Sequence, residues 1–146
     1  MDVETKAALH FAFSSLDERP VESGKFRGKP VVLAFIATGD LGSQAQMSAL
    51  HKLAKRYEDV FFAAVAMEPR AHRELVELYR QSLGVKFPVA MADESTLRGE
   101  SDFGPITLVP TTVVLDAQGR VLARADGQVV PQSNLTEVLD RARRTK

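Results

Sequence analysis

The stretch VLAFIATGDLGSQAQMSAL, residues 32–50, decides the fold because it joins a strand to a helix through one short turn. Its first part is continuously apolar, as in a central strand that is covered on both faces of its sheet. Four apolar residues then recur at helical spacing: Met47, Leu50, Ala54 and Tyr57. The stretch therefore predicts a strand, a turn at residues 39–43 and a helix.

Further segments continue this alternation of strands and helices. VFFAAVAM (60–67), KFPVAMAD (86–93) and PTTVVLD (110–116) are short apolar segments that are typical of strands. RVLARADG (120–127) follows PTTVVLD across a turn that ends at Gly119, so these two segments predict a hairpin. Near the N-terminus, the spacing of Phe11, Phe13 and Val21 predicts a short edge hairpin.

The remaining segments predict helices. EPRAHRELVELYRQSLG (68–84) has Pro69 in its first turn and Gly84 at its end, as helices favour. We expect its buried stripe to consist of Leu75, Leu78, Tyr79 and Leu83. STLRGESDFG (95–104) predicts one or two helical turns. A last helix is predicted from Ser133 or Asn134, with Asn134 and Glu137 as a capping box. Its apolar face is Leu135, Val138, Leu139 and Ala142.

This order of elements predicts an α/β fold with a central mixed β-sheet, helices on both faces and an N-terminal β-hairpin. Strands 31–36 and 60–66 should be adjacent and parallel, because a β-α-β crossover joins them. A length of 146 residues with 45% hydrophobic residues suits a single domain, residues 1–146. We expect residues 1–10 to form a flexible or helical extension.

Charge and composition exclude several kinds of partner and site. Lys and Arg number 19, as do Asp and Glu, so nothing favours nucleic acid or an anionic membrane. No apolar run could span a bilayer, and no secretory signal is visible. We expect a cytoplasmic protein on this sequence, or an extracytoplasmic one if a leader precedes it.

The absence of cysteine excludes disulfides, thiolate metal sites and thiol chemistry. His51 and His72, taken with Asp93, Glu94 or Asp102, do not match a metal-ligand spacing. No phosphate-binding glycine motif is present either. The sequence therefore predicts no metal and no cofactor.

Three segments resemble the TlpA/ResA-type thiol–disulfide oxidoreductases of the thioredoxin-like superfamily, and the resemblance covers nearly the whole chain from Phe11 onward. FRGKPVVLAFIAT (26–38) resembles the stretch before their Trp-Cys-x-x-Cys site. GVKFPVAMAD (84–93) and FGPITLVPTTVVLDAQGRVLARADG (103–127) resemble two later stretches, the second of which contains their cis-proline. The resemblance implies a thioredoxin-like fold, a cis Val109–Pro110 bond and descent from a redox enzyme.

The chain departs from this family at the redox site. Gly39 stands where the family has Trp, Asp40 where it has the first Cys and Ser43 where it has the second. Gln46 and Ser48 replace an acidic residue and a Pro of the following helix. Because the differences spread over the whole turn, we interpret the site as naturally degenerate.

Candidate residues at this site have structural explanations. Asp40 is expected to cap the helix, which would make its carboxylate a poor base at neutral pH. Ser43 has no histidine close enough to activate it as a nucleophile. Glu68 lies near the position of an acidic residue that aids proton transfer in ResA-like proteins, and without a thiol we expect it to favour a helix N-terminus.

The sequence predicts a non-catalytic binding or scaffold module. An extended peptide or partner protein would bind in a groove between the turn and the Val109–Pro110 loop, where a backbone group at residue 109 is free. The predicted groove residues are Gly39, Asp40, Leu41, Gly42, Ser43, Val109 and Pro110. Two alternatives stay open: a thiol-independent enzyme, or a structural subunit that dimerises through this face.

Overall fold

A computed structural model describes residues 7–144 and places seven strands in one mixed sheet with the order β2-β1-β5-β4-β3-β6-β7. The strands are β1 (Ala12–Ser15), β2 (Val21–Glu22), β3 (Val31–Ile36), β4 (Phe61–Ala66), β5 (Val89–Met91), β6 (Thr111–Leu115) and β7 (Val121–Asp126). The predicted mixed sheet is therefore confirmed, as are the edge hairpin β1–β2 and the hairpin β6–β7.

Within residues 7–144, five α-helices accompany the sheet: α1 (Ser23–Phe26), α2 (Leu41–Ala54), α3 (Arg73–Leu83), α4 (Glu94–Leu97) and α5 (Gln132–Arg144). A 3₁₀ turn at Arg70–His72 leads into α3, which ends at Gly84 in the left-handed conformation. No helix formed by residues 7–144 is long and apolar enough to cross a membrane.

Strands β3 and β4 form the centre of the sheet and pair in parallel, from Val31 opposite Phe61 to Ile36 opposite Ala66, as predicted. Both faces are covered, which explains why the two strands are almost entirely apolar. On one face, α2, α3 and α5 contribute Leu50, Val76 and Leu139 to the core. On the other face, a group of aromatic side chains comes from α1, from β1 and the residue before it, and from the loop after α4: Phe26, Phe13, Phe11 and Phe103.

The predicted buried stripe of α3 is wrong at two of its four positions. Leu75 and Leu78 are 49% and 63% exposed. The face toward the sheet consists of Val76, Tyr79 and Leu83, whose spacing of three and four residues places them on one side of the helix. Two adjacent apolar stripes run along α3, and the sequence pattern does not distinguish which of them faces the core.

The start of α5 also differs from the prediction. The helix begins at Gln132, so Asn134 lies in its first turn and does not cap it. The backbone N–H groups of Asn134 and Leu135 donate to the carbonyl of Pro131. The predicted apolar face is confirmed, since Leu135, Leu139 and Ala142 are buried and Val138 packs on the core.

The predicted N-terminal extension falls mostly on residues 1–6, which lie outside the described residues. Residues 7–10 form no helix in the structure. Leu9 is buried, and its N–H donates to the carbonyl of Gly119 over 2.9 Å. The chain is thus held against the β6–β7 turn before the first strand begins.

Candidate functional site

The turn between β3 and α2 is built around a helix cap. The Asp40 carboxylate accepts a hydrogen bond from the Ser43 N–H over 2.7 Å, which confirms the predicted cap. Gly39 has φ +82°, a conformation that L side chains rarely adopt. The turn therefore needs a glycine at the position where the resembling family has Trp.

Ser43 is fully buried at the base of this turn. Its hydroxyl oxygen accepts a hydrogen bond from the Ala37 N–H over 3.1 Å, which connects the first turn of α2 to the end of β3. No base among the described residues contacts this hydroxyl. Ser43 thus has a structural role in the corner.

Glu68 joins the neighbouring strand end to the same turn. It is buried, and its carboxylate accepts from the Thr38 N–H (2.6 Å) and the Thr38 hydroxyl (3.0 Å). The Nδ1 atom of His72 lies 2.8 Å from the same carboxylate. Burial raises the pKa of Glu68, but the hydrogen bonds from Thr38 and His72 outweigh it, and the net pKa is lowered. Glu68 is therefore a charged anchor of the turn, a role that the sequence did not predict.

The loop before β6 packs against the turn, and its Val109–Pro110 bond is cis, as predicted. A Cβ placed on Gly42 would lie 3.1 Å from Pro110 Cδ, so turn and loop are in contact there without a gap. The Pro110 carbonyl accepts from the Gly127 N–H, and the Leu108 carbonyl from the Thr111 hydroxyl. Within residues 7–144, no hydrogen bond engages the N–H or the carbonyl of Val109.

Exposed apolar side chains surround this contact. Leu41, in the turn, is 81% exposed, while Leu108 and Val129 are 55% and 40% exposed. Val129 lies close to Gly42, and Leu108 close to Gly127. We call Leu41, Leu108 and Val129 the apolar rim. Of these three residues, only Leu41 was predicted from the sequence, because Leu108 and Val129 come from loops whose place in the fold no local pattern shows.

A shallow cavity of about 440 Å³ opens on the other side of Gly39, toward α3. Thr38, the exposed Leu75 and Leu78, and Tyr79 line it. The Tyr79 hydroxyl is buried and has no hydrogen-bond partner in the described part of the chain. Its burial raises the pKa of Tyr79, and the charges of Asp40 and Glu68 raise it further. The open space beside the turn thus lies next to α3, whereas the contact with Pro110 is closed.

His51 and His72 lie on different elements. His72 is bonded to Glu68, while His51 lies on α2, where burial and the charges of Lys55 and Lys86 lower its pKa. Within residues 7–144, no group of three His, Cys, Asp or Glu side chains could hold a metal ion.

The sequence of this chain is similar to those of known thiol-disulfide oxidoreductases. No protein-family model matches it. It is 25% identical to the thiol-disulfide oxidoreductase ResA of Bacillus anthracis over 123 residues, which cover 84% of this chain and 69% of that protein. ResA of Bacillus cereus (strain ZK / E33L) is 24% identical over the same coverage.

Solved structures with the same fold include a thiol:disulfide interchange protein of the thioredoxin family from Chlorobium tepidum. That chain has a TM-score of 0.79 and 24% identity, with coverage of 97% of this chain and 99% of that one. A DsbF homologue from Corynebacterium diphtheriae has a TM-score of 0.80 and 19% identity, with coverage of 97% and 90%. The chain therefore has a thioredoxin-like fold and ResA-type thiol–disulfide oxidoreductases as homologues, yet it contains no cysteine.

Proposed function

We propose that this chain is a non-catalytic binding module that holds an extended segment of a partner protein on the face around residues 39–43. The observation that carries the proposal is the apolar rim. Exposed apolar side chains scattered singly are ordinary, but several grouped on one face are typical of an interaction site. Leu41, Leu108 and Val129 come from three separate segments and converge around the contact between Gly42 and Pro110.

Thiol exchange is not available to this chain. The reaction named for its relatives requires a thiolate that attacks a disulfide sulfur, and the sequence contains no cysteine. The Asp40 carboxylate and the Ser43 hydroxyl cannot replace it, since both are engaged in hydrogen bonds that shape the turn. The binding face of a redox fold can be retained without its reactive atoms.

An extended peptide suits this face. The N–H and the carbonyl of Val109 are unengaged within the described residues, so they can pair with the backbone of an added strand. Alternate side chains of such a strand point to the same side, where the apolar rim can cover them. Backbone pairing would then supply affinity, and the rim would select apolar side chains.

Selection from a random peptide library, followed by NMR titration of the labelled protein with the selected peptides, tests the proposal. We expect peptides with alternating apolar residues and shifts confined to residues 39–43, 107–111 and 127–130. Leu41→Asp should weaken binding about tenfold or more, because it places a charge in an apolar contact. Leu97→Asp, which changes an exposed leucine of α4, is the matched control and should have no effect.

Chemical-shift changes on another face, or equal effects of the two substitutions, would contradict the proposal.

Sedimentation velocity of the free protein tests the alternative that the chain is a structural subunit that dimerises through this face. A concentration-dependent dimer that Leu41→Asp abolishes would assign the apolar rim to self-association.

A further inference from the structure

A larger cavity, of about 560 Å³, lies at the opposite end of the central strands from the turn. Its walls include Phe61 at the start of β4 and Pro88 just before β5, whereas the turn follows the end of β3. Strands β3, β4 and β5 are parallel, so the two sites lie at opposite ends of these strands. The volume is within the range of about 300–1,000 Å³ that is common for small-molecule sites.

Aromatic and aliphatic side chains form most of the cavity wall. Phe61 is half-buried and stacks on Phe26, with 4.6 Å between ring centroids and 21° between ring planes. Val60 and Phe87 continue the apolar surface. The ammonium group of Lys29 lies 5.1 Å from the centroid of the Phe61 ring. These side chains give the cavity a hydrocarbon surface that an apolar body can contact.

Positive charge predominates around this wall. Arg19, Lys25 and Lys86 line the cavity, against one acidic residue, Glu58. The Arg19 guanidinium is already engaged in hydrogen bonds, because it donates to the Asp17 carboxylate and to the carbonyl of Lys86. Lys25 and Lys86 form no ion pair with any residue between 7 and 144. The cavity therefore combines an apolar wall with two ammonium groups that form no ion pair within residues 7–144.

We propose that this cavity binds a small amphipathic carboxylate, with its aromatic or alkyl body against Phe61 and its carboxylate near Lys25 and Lys86. The apolar wall would contribute affinity by removing hydrocarbon from water, and the lysines would select an anion over a neutral analogue. This site is independent of the apolar rim and of the function proposed for it. Nothing in it requires redox chemistry.

Titration with 2-naphthoate, by calorimetry and by NMR on the labelled protein, tests the proposal. We expect shifts at residues 60–62 and 86–88, and at least tenfold weaker binding of the neutral analogue 2-naphthylmethanol. Lys25→Gln and Lys86→Gln should each weaken naphthoate binding about threefold, as for a partly exposed charge pair. The double variant should bind the acid and the alcohol equally, and Glu58→Gln should tighten binding of the acid.

Lys52→Gln is the matched control, since Lys52 is an exposed lysine of α2 that does not line the cavity. It should leave the affinity for naphthoate unchanged. Equal affinity of the wild type for naphthoate and naphthylmethanol would overturn the proposal, as would shifts confined to other residues. A loss in Lys52→Gln as large as that in Lys25→Gln would also overturn it, because the attraction would then reflect overall charge alone.

Discussion

Glu68 shows how much of this site depends on single residues far apart in sequence. It lies just after β4, yet its carboxylate accepts from the backbone and the hydroxyl of Thr38, 30 positions earlier. Sequence patterns could place Asp40 as a helix cap, because a cap bonds within its own turn. They could not assign Glu68 to Thr38, because this contact depends on the pairing of β3 with β4.

Replacement of Glu68 by Gln should lower the free energy of unfolding by about 1–3 kcal/mol. Glutamine keeps one acceptor oxygen but places an amide N–H₂ where two donors of Thr38 and a ring nitrogen of His72 converge. Urea denaturation measures the loss. Glu74→Gln, at an exposed position in the first turn of α3, is the control and should change stability little. Equal losses in the two variants would contradict the anchoring role.

The contribution of Glu68 should also depend on pH. Its pKa is lowered in the folded protein, so its stabilisation is complete above the ordinary pKa of glutamate and is lost as pH falls through the folded value. The stability difference between wild type and Glu68→Gln should therefore shrink as pH falls below the ordinary pKa of glutamate. Urea denaturation at a series of pH values measures it. A difference that grows on acidification would mean that burial dominates and that the pKa of Glu68 is raised.

For whole elements too, features that depend on local sequence were predicted, and features that depend on distant contacts were not. Strands β3, β4 and β6 and the helix α2 were predicted because buried strands and amphipathic helices have clear local signatures. The buried face of α3 was not predicted correctly. Its two apolar stripes have the same helical spacing, and only the packing of the helix on the sheet decides which of them is buried. Gln46 is a further case: it is fully buried in α2, and its partner Val130 lies 84 positions later.

Gln46 holds α2 to the connection between β7 and α5. Its side-chain oxygen accepts from the Val130 N–H over 2.7 Å, and its amide donates to the Val130 carbonyl over 3.1 Å. Gln46→Leu leaves both backbone groups without these partners, so we expect a loss of about 1–3 kcal/mol in unfolding free energy. The Val130 amide should also exchange faster with solvent.

Gln44→Leu, at an exposed position two residues earlier on the same helix, is the control for Gln46→Leu. It should leave the exchange rate of the Val130 amide unchanged. An equal increase of that rate in both variants would show that helix composition, and not the Gln46 contact, holds the connection.

At the scale of the whole molecule, the fold of a thiol–disulfide oxidoreductase is present without its reactive atoms. The strand, turn and helix that would present a Cys-x-x-Cys pair are intact, and the cis bond before Pro110 faces them. Since a helix N-terminus offers free N–H groups and a positive dipole end, it lowers the pKa of a thiol placed there. The architecture of the relatives is therefore retained, whereas the two thiols of their redox site are absent.

Introduction of cysteines at positions 40 and 43 tests whether the retained architecture can support thiol–disulfide exchange. The wild-type protein should not accelerate the reduction of insulin by dithiothreitol, because it has no thiolate. The double variant Asp40→Cys/Ser43→Cys should accelerate it, whereas each single variant, which cannot close an internal disulfide, should show little turnover. Circular dichroism and urea denaturation confirm that each variant is folded. Catalysis by the wild type would point to a thiol-independent reductase, and inactivity of a folded double variant would show that the architecture has also departed from that of its relatives.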